Sequence, residues 1–401
     1  MKEILEEPKP HFAPLIHATP LDNPLSEDER GPHALDFLKA NGINSIEPPI
    51  RASDYREGVQ DPFYYYLRCR LGIVRNTVRA IGALDTGSLY HTWMAAHRSP
   101  SKAPDPSRLQ AGDKAVDSEV ARLYGAAEEA ATESGVLPGG IKLEEYMVDL
   151  EKESSLAISM GHLTVELMPL INEAYPEIEV LAVEKLLAAD LPTEVGKHPC
   201  VCRVDALLVD HRRKECWIED HKSTGADPRI RASSCSFEFP VRLYRLIVEA
   251  NAGLLRLPYP LVGFRHNIIQ KPGIRQKQHE TREEFLHRYR CWLTSTEEYT
   301  NLEAGRRAKN EYPYLCSFLR FYEPTYSHEF LIQLREAYSL ATRAPYPDNF
   351  PRVSCANHFG NALHDLHPFY AYGPKKWPDL LASGQYTAGV FRDYETLKEI
   401  L

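Results

Sequence analysis

The sequence predicts a mixed α/β (α+β) fold: a core sheet flanked by helices, with a helical insertion before the sheet and a helical wrap after it. Three observations carry that prediction. Four segments, "EIEVLAVEKLL", "CVCRVDALLVD", "KECWIEDHKS" and "PLVGFRHNII", are rich in Val, Ile and Leu and have strand length. Residues 99–175 open on "SPSKAPDPS" and then carry long helical patterns, among them "SEVARLYGAAEEAATESG" and "EEYMVDLEKESSLAISMGHLTVELMPLINEAY". Past the strands, "TREEFLHRYRCWL" and "SHEFLIQLREAYSLATR" return to helical spacing.

Taken in order, residues 1–50 are rich in proline and charge, with one short helical pattern at "HALDFLKANGI", and read as an irregular arm. The domain proper is expected over 51–401. It begins with two helices, one in the aromatic stretch "DPFYYYLRCRLGIVRNTVRA" and one in "LDTGSLYHTWMAAH", where Asp85 has the character of an N-cap. The insertion (99–175) follows, then the sheet core (176–280). Within that core the helix "FPVRLYRLIVEANAG" separates the third and fourth strands, with Pro240 in its first turn and Gly253 past its end. Residues 281–401 are read as helical or irregular, opening on a capping box between Thr281 and Glu284.

Composition limits the function classes. A chain of 401 residues with 43% hydrophobic content can bury a large core. The formal net charge of -9 excludes a globally basic surface, so a nucleic acid would have to meet a local basic groove. Prolines and acids interrupt the first twenty residues where a secretory segment needs an apolar run, and the eight cysteines are scattered; a soluble cytoplasmic protein with reduced thiols is expected. There is no P-loop, since "HKSTG" lacks the upstream glycines, and no serine elbow or metalloprotease helix motif.

The charged stretch "HRRK" between the second and third strands is short enough for a hairpin turn. Closing it symmetrically between Arg212 and Arg213 sets Asp205 opposite Asp220. Two like charges at a cross-strand spacing of about 5 Å destabilise each other unless a cation lies between them. Alternation puts Lys222 on the face of Asp220, and Glu219 and His221 on the other. Two carboxylates and an ammonium suit a hard cation, Mg²⁺ or Mn²⁺, that also accepts phosphate oxygens. Lys222, with its pKa lowered by burial or its ammonium held near the metal, would then deprotonate or orient a water. An acid, a spacer and a lysine at a strand end also describes an ordinary solvated ion pair.

The stretch "RVDALLVD…CWIEDHKSTG" resembles the PD-(D/E)XK nuclease superfamily, in the branch of RecB and AddB nuclease domains, phage exonucleases and CRISPR-associated adaptation nucleases. The resemblance implies a restriction-endonuclease-like core. It also implies Asp205 and Asp220 as metal ligands, the His221 carbonyl as another, and Lys222 as the catalytic lysine. "TGSLYHTWM" is similar to the family's helix with a metal-binding histidine, which nominates His91, and "VLAVEKLL" is similar to the strand that adds an acid, which nominates Glu184. Core packing for His91 and a solvated strand end for Glu184 remain open as alternatives.

The family's iron–sulfur cysteines are not matched: Asp61 stands at the first position and only Cys355 remains near the C-terminus, so no cluster is expected. Cys355, His358, His364 and His367 have a spacing zinc accepts, but packing and hydrogen bonding are the expected fate of such a segment. Relatives often carry glutamine four residues before a tyrosine; here Tyr244 is present and Pro240 takes the other place. Basic groups for a backbone-reading, sequence-independent DNA groove are Arg212, Arg213, Lys214, Arg242, Arg245, Arg265, Lys271, Arg275 and Lys277.

The expectation is thus a Mg²⁺- or Mn²⁺-dependent deoxyribonuclease, an exonuclease of recombination, repair or phage DNA processing. A helicase, recombinase or annealing protein is the partner class implied. A catalytically silent binding module and a structure- or sequence-selective endonuclease of defence are the alternatives.

Overall fold

The computed structural model describes residues 31–75, 83–98, 107–133, 135–137, 140–172, 178–225, 228–235, 239–271, 314–321, 327–346 and 374–391, together with positions 277, 279–281, 283–285, 287–288, 350, 366 and 368–369. The chain divides into two compact units, one of residues 1–48, 56–75 and 342–391 and one of residues 49–55, 76–341 and 392–401.

The smaller unit holds α1 (Gly31–Ala40), most of α2 (Ala52–Gln60), α3 (Pro62–Tyr65) and a π-helical turn over Tyr66–Arg70. Asp61 caps α3, its carboxylate accepting the Tyr64 N–H at 3.1 Å, ahead of Pro62 in the first turn. The strand β1 (Val74–Arg75) pairs with β7 (Tyr386–Thr387), the last described strand.

The larger unit carries the sheet. Its helices α4 (Ala83–His97), α5 (Ser107–Ala130) and α6 (Leu143–Asn172) precede β2 (Ile178–Asp190), β3 (Pro199–Asp210) and β4 (Glu215–Thr224). Then come α7 (Pro228–Cys235), α8 (Phe239–Ala250), β5 (Leu261–Gln270), β6 (Tyr314–Arg320) and α9 (His328–Thr342), while α10 (Trp377–Ala382) lies in the smaller unit. Strand order is β2-β3-β4-β5-β6, antiparallel except for the parallel pair β4 and β5. That pair needs a crossover, and α7 and α8 supply it.

Alternation of side chains sorts the core into two layers. Ile218 and Phe264 pack with Leu243, Leu246 and Ile247 of α8 and with Phe330 and Leu334 of α9. Ile269, of opposite parity on β5, packs instead with Leu89, Tyr90 and Trp93 of α4 and with partners from α5 and α6. Trp93 reaches so far into the helical layer that a Cβ on Gly112 of α5 or Gly161 of α6 would stand 2.4 Å or 2.2 Å from its ring. Both positions are glycine because the indole occupies the space a side chain would take.

Two local expectations change. Helix α4 starts at Ala83, so Asp85 lies inside its first turn rather than capping it. Residues 281–401 are not helical throughout: "YLCSFLR" forms β6, the fifth strand of the main sheet, paired with β5 from Gly263↔Arg320 to Ile269↔Tyr314. One short apolar run carries little periodic signal, and its partner strand supplies the hydrogen bonds that make it a strand. The box at Thr281 and Glu284 does form, each backbone N–H bonded to the other's side chain at 2.8 and 3.2 Å. No described helix is long and apolar enough to cross a membrane, and Cys69, Cys200, Cys202 and Cys216 are free thiols.

Candidate metal and active site

The hairpin β3–β4 turns through His211–Lys214 and has the register read from the sequence, from Asp210↔Glu215 to Ala206↔Glu219. The recorded ladder stops there, one step short of Asp205 and Asp220. Asp205 instead uses Oδ2 to accept the backbone N–H of His221 at 2.7 Å. On its other side β2 pairs Val183 with Ala206 and Lys185 with Val204, which brackets Glu184 opposite Asp205. Glu184 has φ 47°, a left-handed conformation that costs an L-residue about 1–2 kcal/mol.

Helix α4 brings the third group. His91 Nδ1 lies 3.3 Å from Asp205 Oδ2, and one ligand atom from each of His91, Glu184 and Asp205 falls within 4.8 Å of the others. Burial raises the Glu184 pKa, and the Asp205 charge raises it further. Burial alone would lower the His91 pKa, but Asp205 outweighs it and the net shift is upward. Two crowded carboxylate oxygens and one imidazole nitrogen are a donor set that Mg²⁺ or Mn²⁺ accepts, and a cation there would relieve the repulsion.

Asp220 stands beside this trio, not within it. Its Oδ1 receives Lys222 Nζ at 2.7 Å and its Oδ2 lies 3.3 Å from His266 Nδ1. Burial would raise the Asp220 pKa, yet Lys222 and His266 hold the carboxyl well below its ordinary range. Burial would likewise lower the Lys222 pKa, but Asp220 and then Asp205 push it above the usual lysine value. Of the two readings of Lys222 made from the sequence, a pKa lowered by burial or an ammonium held in place, the direction of the shift favours the second, because the carboxylates outweigh desolvation. The Lys222 side chain is 34% exposed, so water screens part of that attraction.

On the opposite face of β4, Glu219 is fully buried. Arg98, just past α4, forks onto it with Nη2 2.7 Å from Oε1 and Nε 3.1 Å from Oε2. Arg265 Nη2 lies 2.8 Å and Asn267 Nδ2 2.5 Å from Oε1. Burial would raise the Glu219 pKa; Arg265 and Arg98 reverse that and hold it far below the carboxylate range. The His221 ring, with Nε2 3.6 Å from Glu219 Oε2, is pushed down to about 4, by burial first.

The parallel register explains this arrangement. It sets Glu219 beside Arg265, Asp220 beside His266 and His221 beside Asn267. The sequence signal for these partners was present: "RHN" interrupts the apolar strand "LVGFRHNII" with three consecutive polar residues, each buried. A buried polar run has to meet polar partners on the neighbouring strand. Arg98 offered no comparable signal.

The expected DNA-contacting residues divide. Arg265 is 1% exposed and paired with Glu219, so it is removed from the basic groove. Arg212, Arg213 and Lys214 are exposed at the hairpin turn, about 20 Å of strand from Asp205 and Asp220. Lys271 follows β5, with Nζ 3.8 Å from where a Cβ on Gly87 of α4 would stand. Tyr244 packs against Phe264 at 6.1 Å between ring centroids. Arg245 reaches Glu249 at 2.9 Å, and Arg242 lies 3.8 Å from Glu329 and 3.3 Å from the Ser327 hydroxyl. Arg275, Cys355, His358, His364 and His367 fall outside the described residues.

Comparison with curated proteins returns no match. A family model described as the PD-(D/E)XK nuclease superfamily matches residues 52–318, a span that holds His91, Glu184, Asp205, Asp220 and Lys222 together with all of the five-stranded sheet but the last two residues of β6. With that match and this mixed sheet flanked by helices, the chain belongs to the PD-(D/E)XK nuclease superfamily.

Proposed function

We propose that the protein is a deoxyribonuclease that hydrolyses phosphodiester bonds with Mg²⁺ or Mn²⁺, acting from DNA ends as an exonuclease in recombination, repair or phage DNA processing. The observation that carries this reading is the gathering of His91, Glu184 and Asp205 within 4.8 Å of one another, beside the Asp220–Lys222 pair. His91, Glu184 and Asp205 hold the cation, with Asp220 and the His221 carbonyl as further donors. A divalent cation in such a place polarises a phosphoryl oxygen and makes water more acidic. The Lys222 ammonium, kept charged by Asp220, orients the attacking water or faces the charge that develops on the phosphate. Lys271 and Arg275 follow β5 and suit contacts to the DNA backbone, with Arg242, Tyr244 and Arg245 contributed by α8.

The test is incubation of the full chain with linear and circular, single- and double-stranded DNA in Mg²⁺, Mn²⁺ or EDTA, beside Asp220→Asn and Lys222→Ala. Metal-dependent loss of linear DNA with closed circles intact, abolished in both variants, is expected. Cleavage of closed circles points to an endonuclease, and no metal-dependent cleavage in any combination points to a DNA- or protein-binding module. Variants that cut as fast as the unmodified chain would overturn the residue roles.

A further inference from the structure

Helix α4 is anchored in two different ways. Its apolar residues Leu89, Tyr90, Trp93 and Met94 pack into the helical layer, and Thr86 and Tyr90 hydrogen-bond to Glu153 and Thr164 of α6. These contacts join helix to helix and, through Ile269, α4 to strand β5. The Arg98 fork joins the end of the helix to strand β4 through Glu219.

The hydrophobic effect has no direction of its own, whereas a fork of charged hydrogen bonds fixes distance and direction between its two partners. His91 and Arg98 are seven positions apart, two helical turns, so both face the sheet and a shift of one moves the other. On the strand side Glu219 is itself immobilised by Arg265 and Asn267 of β5. Two residues further on, the His221 amide holds the Asp205 carboxylate. The helix that carries one metal donor and the strand that orients another are thus tied through a buried carboxylate, Glu219.

We propose that Glu219 and Arg98 are positioning residues for the metal centre, setting the place of α4 on β4 so that His91 reaches Glu184 and Asp205. This rests on the reading of those three side chains as the metal ligands. Glu219, adjacent to Asp220 in sequence, then serves the site without touching metal or substrate.

The experiment is Mn²⁺ titration of the full chain, free of DNA, by calorimetry and electron paramagnetic resonance. Arg98→Ala is expected to raise the Mn²⁺ dissociation constant about tenfold or more, with near-UV circular dichroism unchanged. Millimolar guanidinium should restore most of the affinity in Arg98→Ala and none in His91→Ala. Arg98→Lys, which keeps the charge but loses the fork, should fall between; if Arg98→Ala does not fold, this variant decides, a raised constant supporting the inference and an unmodified one overturning it. A folded Arg98→Ala with unmodified Mn²⁺ affinity overturns it too, as does guanidinium that restores thermal stability but not affinity. No Mn²⁺ binding by the unmodified chain would overturn the metal-ligand reading itself, and this inference with it.

Discussion

His266 Nδ1 lies 3.3 Å from Asp220 Oδ2, while Lys222 occupies the other oxygen of that carboxylate at 2.7 Å. The carboxylate is held from its own strand and from the strand parallel to it. Under the proposed deoxyribonuclease function, His266→Leu is therefore expected to leave the fold intact and lower DNA cleavage about 10- to 100-fold, the usual cost of removing a partner that orients a group at a metal site. Initial rates at saturating Mn²⁺, compared with the melting temperature, check this; a variant with unmodified rates would show that Lys222 alone suffices to hold Asp220.

Removing Glu219 leaves two guanidinium groups facing each other in the interior. Glu219→Leu is expected to destabilise the protein by about 3–5 kcal/mol, the range for losing one partner of a buried ion pair. Glu219→Gln, which keeps the shape and accepts hydrogen bonds, should cost less. Urea unfolding monitored by fluorescence of the four tryptophans measures both.

His97 stacks on Trp93 at 5.0 Å, and burial, then the neighbouring Arg98 charge, push its pKa down to about 4. The unfolded chain takes up this proton near pH 6.5 and the folded chain only near 4, so stability from the neutral ring is complete above about pH 6.5 and is lost as pH falls toward 4. The midpoint of urea unfolding should drop across that window and do so less in His97→Phe, which stays neutral and can still stack. Equal pH slopes in the two proteins would assign the loss to other groups.

Gly161→Ala should destabilise the helical layer by about 1–3 kcal/mol despite alanine's better helix propensity, because its methyl meets the Trp93 ring. The diagnostic comparison is with Gly125→Ala on α5, where nothing lies within 4 Å of the added carbon. That change is expected to be neutral or stabilising by up to about 1 kcal/mol. Thermal melts of the two single variants separate steric cost from propensity.

What the sequence disclosed follows the range of the interactions concerned. The hairpin could be aligned from its turn because Arg212 and Arg213 fix the pairing of every residue back to Ala206 and Glu219. The α8 boundaries and the Thr281 box were legible for the same reason, being local. The sequence gives Glu219 no role and reads Arg265 into a surface groove because each depends on partners far along the chain: Arg98 lies 121 residues before Glu219, and Arg265 lies beside it only because β4 and β5 pair in parallel. Strand β6 was missed because seven residues do not announce their neighbour. The trio of His91, Glu184 and Asp205 was nominated by family likeness, piece by piece; its convergence depends on α4 packing against β3 and β4, which no spacing encodes.

The left-handed backbone of Glu184 makes that position a filter on sequence change. Glycine or asparagine would relieve the conformation but remove the carboxylate; aspartate keeps the acid and suits the angle better, but is shorter by one methylene. Drift toward stability and service to the proposed cation thus pull this codon in opposite directions. In a lineage that no longer needed the metal, glycine or asparagine should appear here early, well before the buried Glu219 cluster changes, since each member of that cluster is held in place by the others.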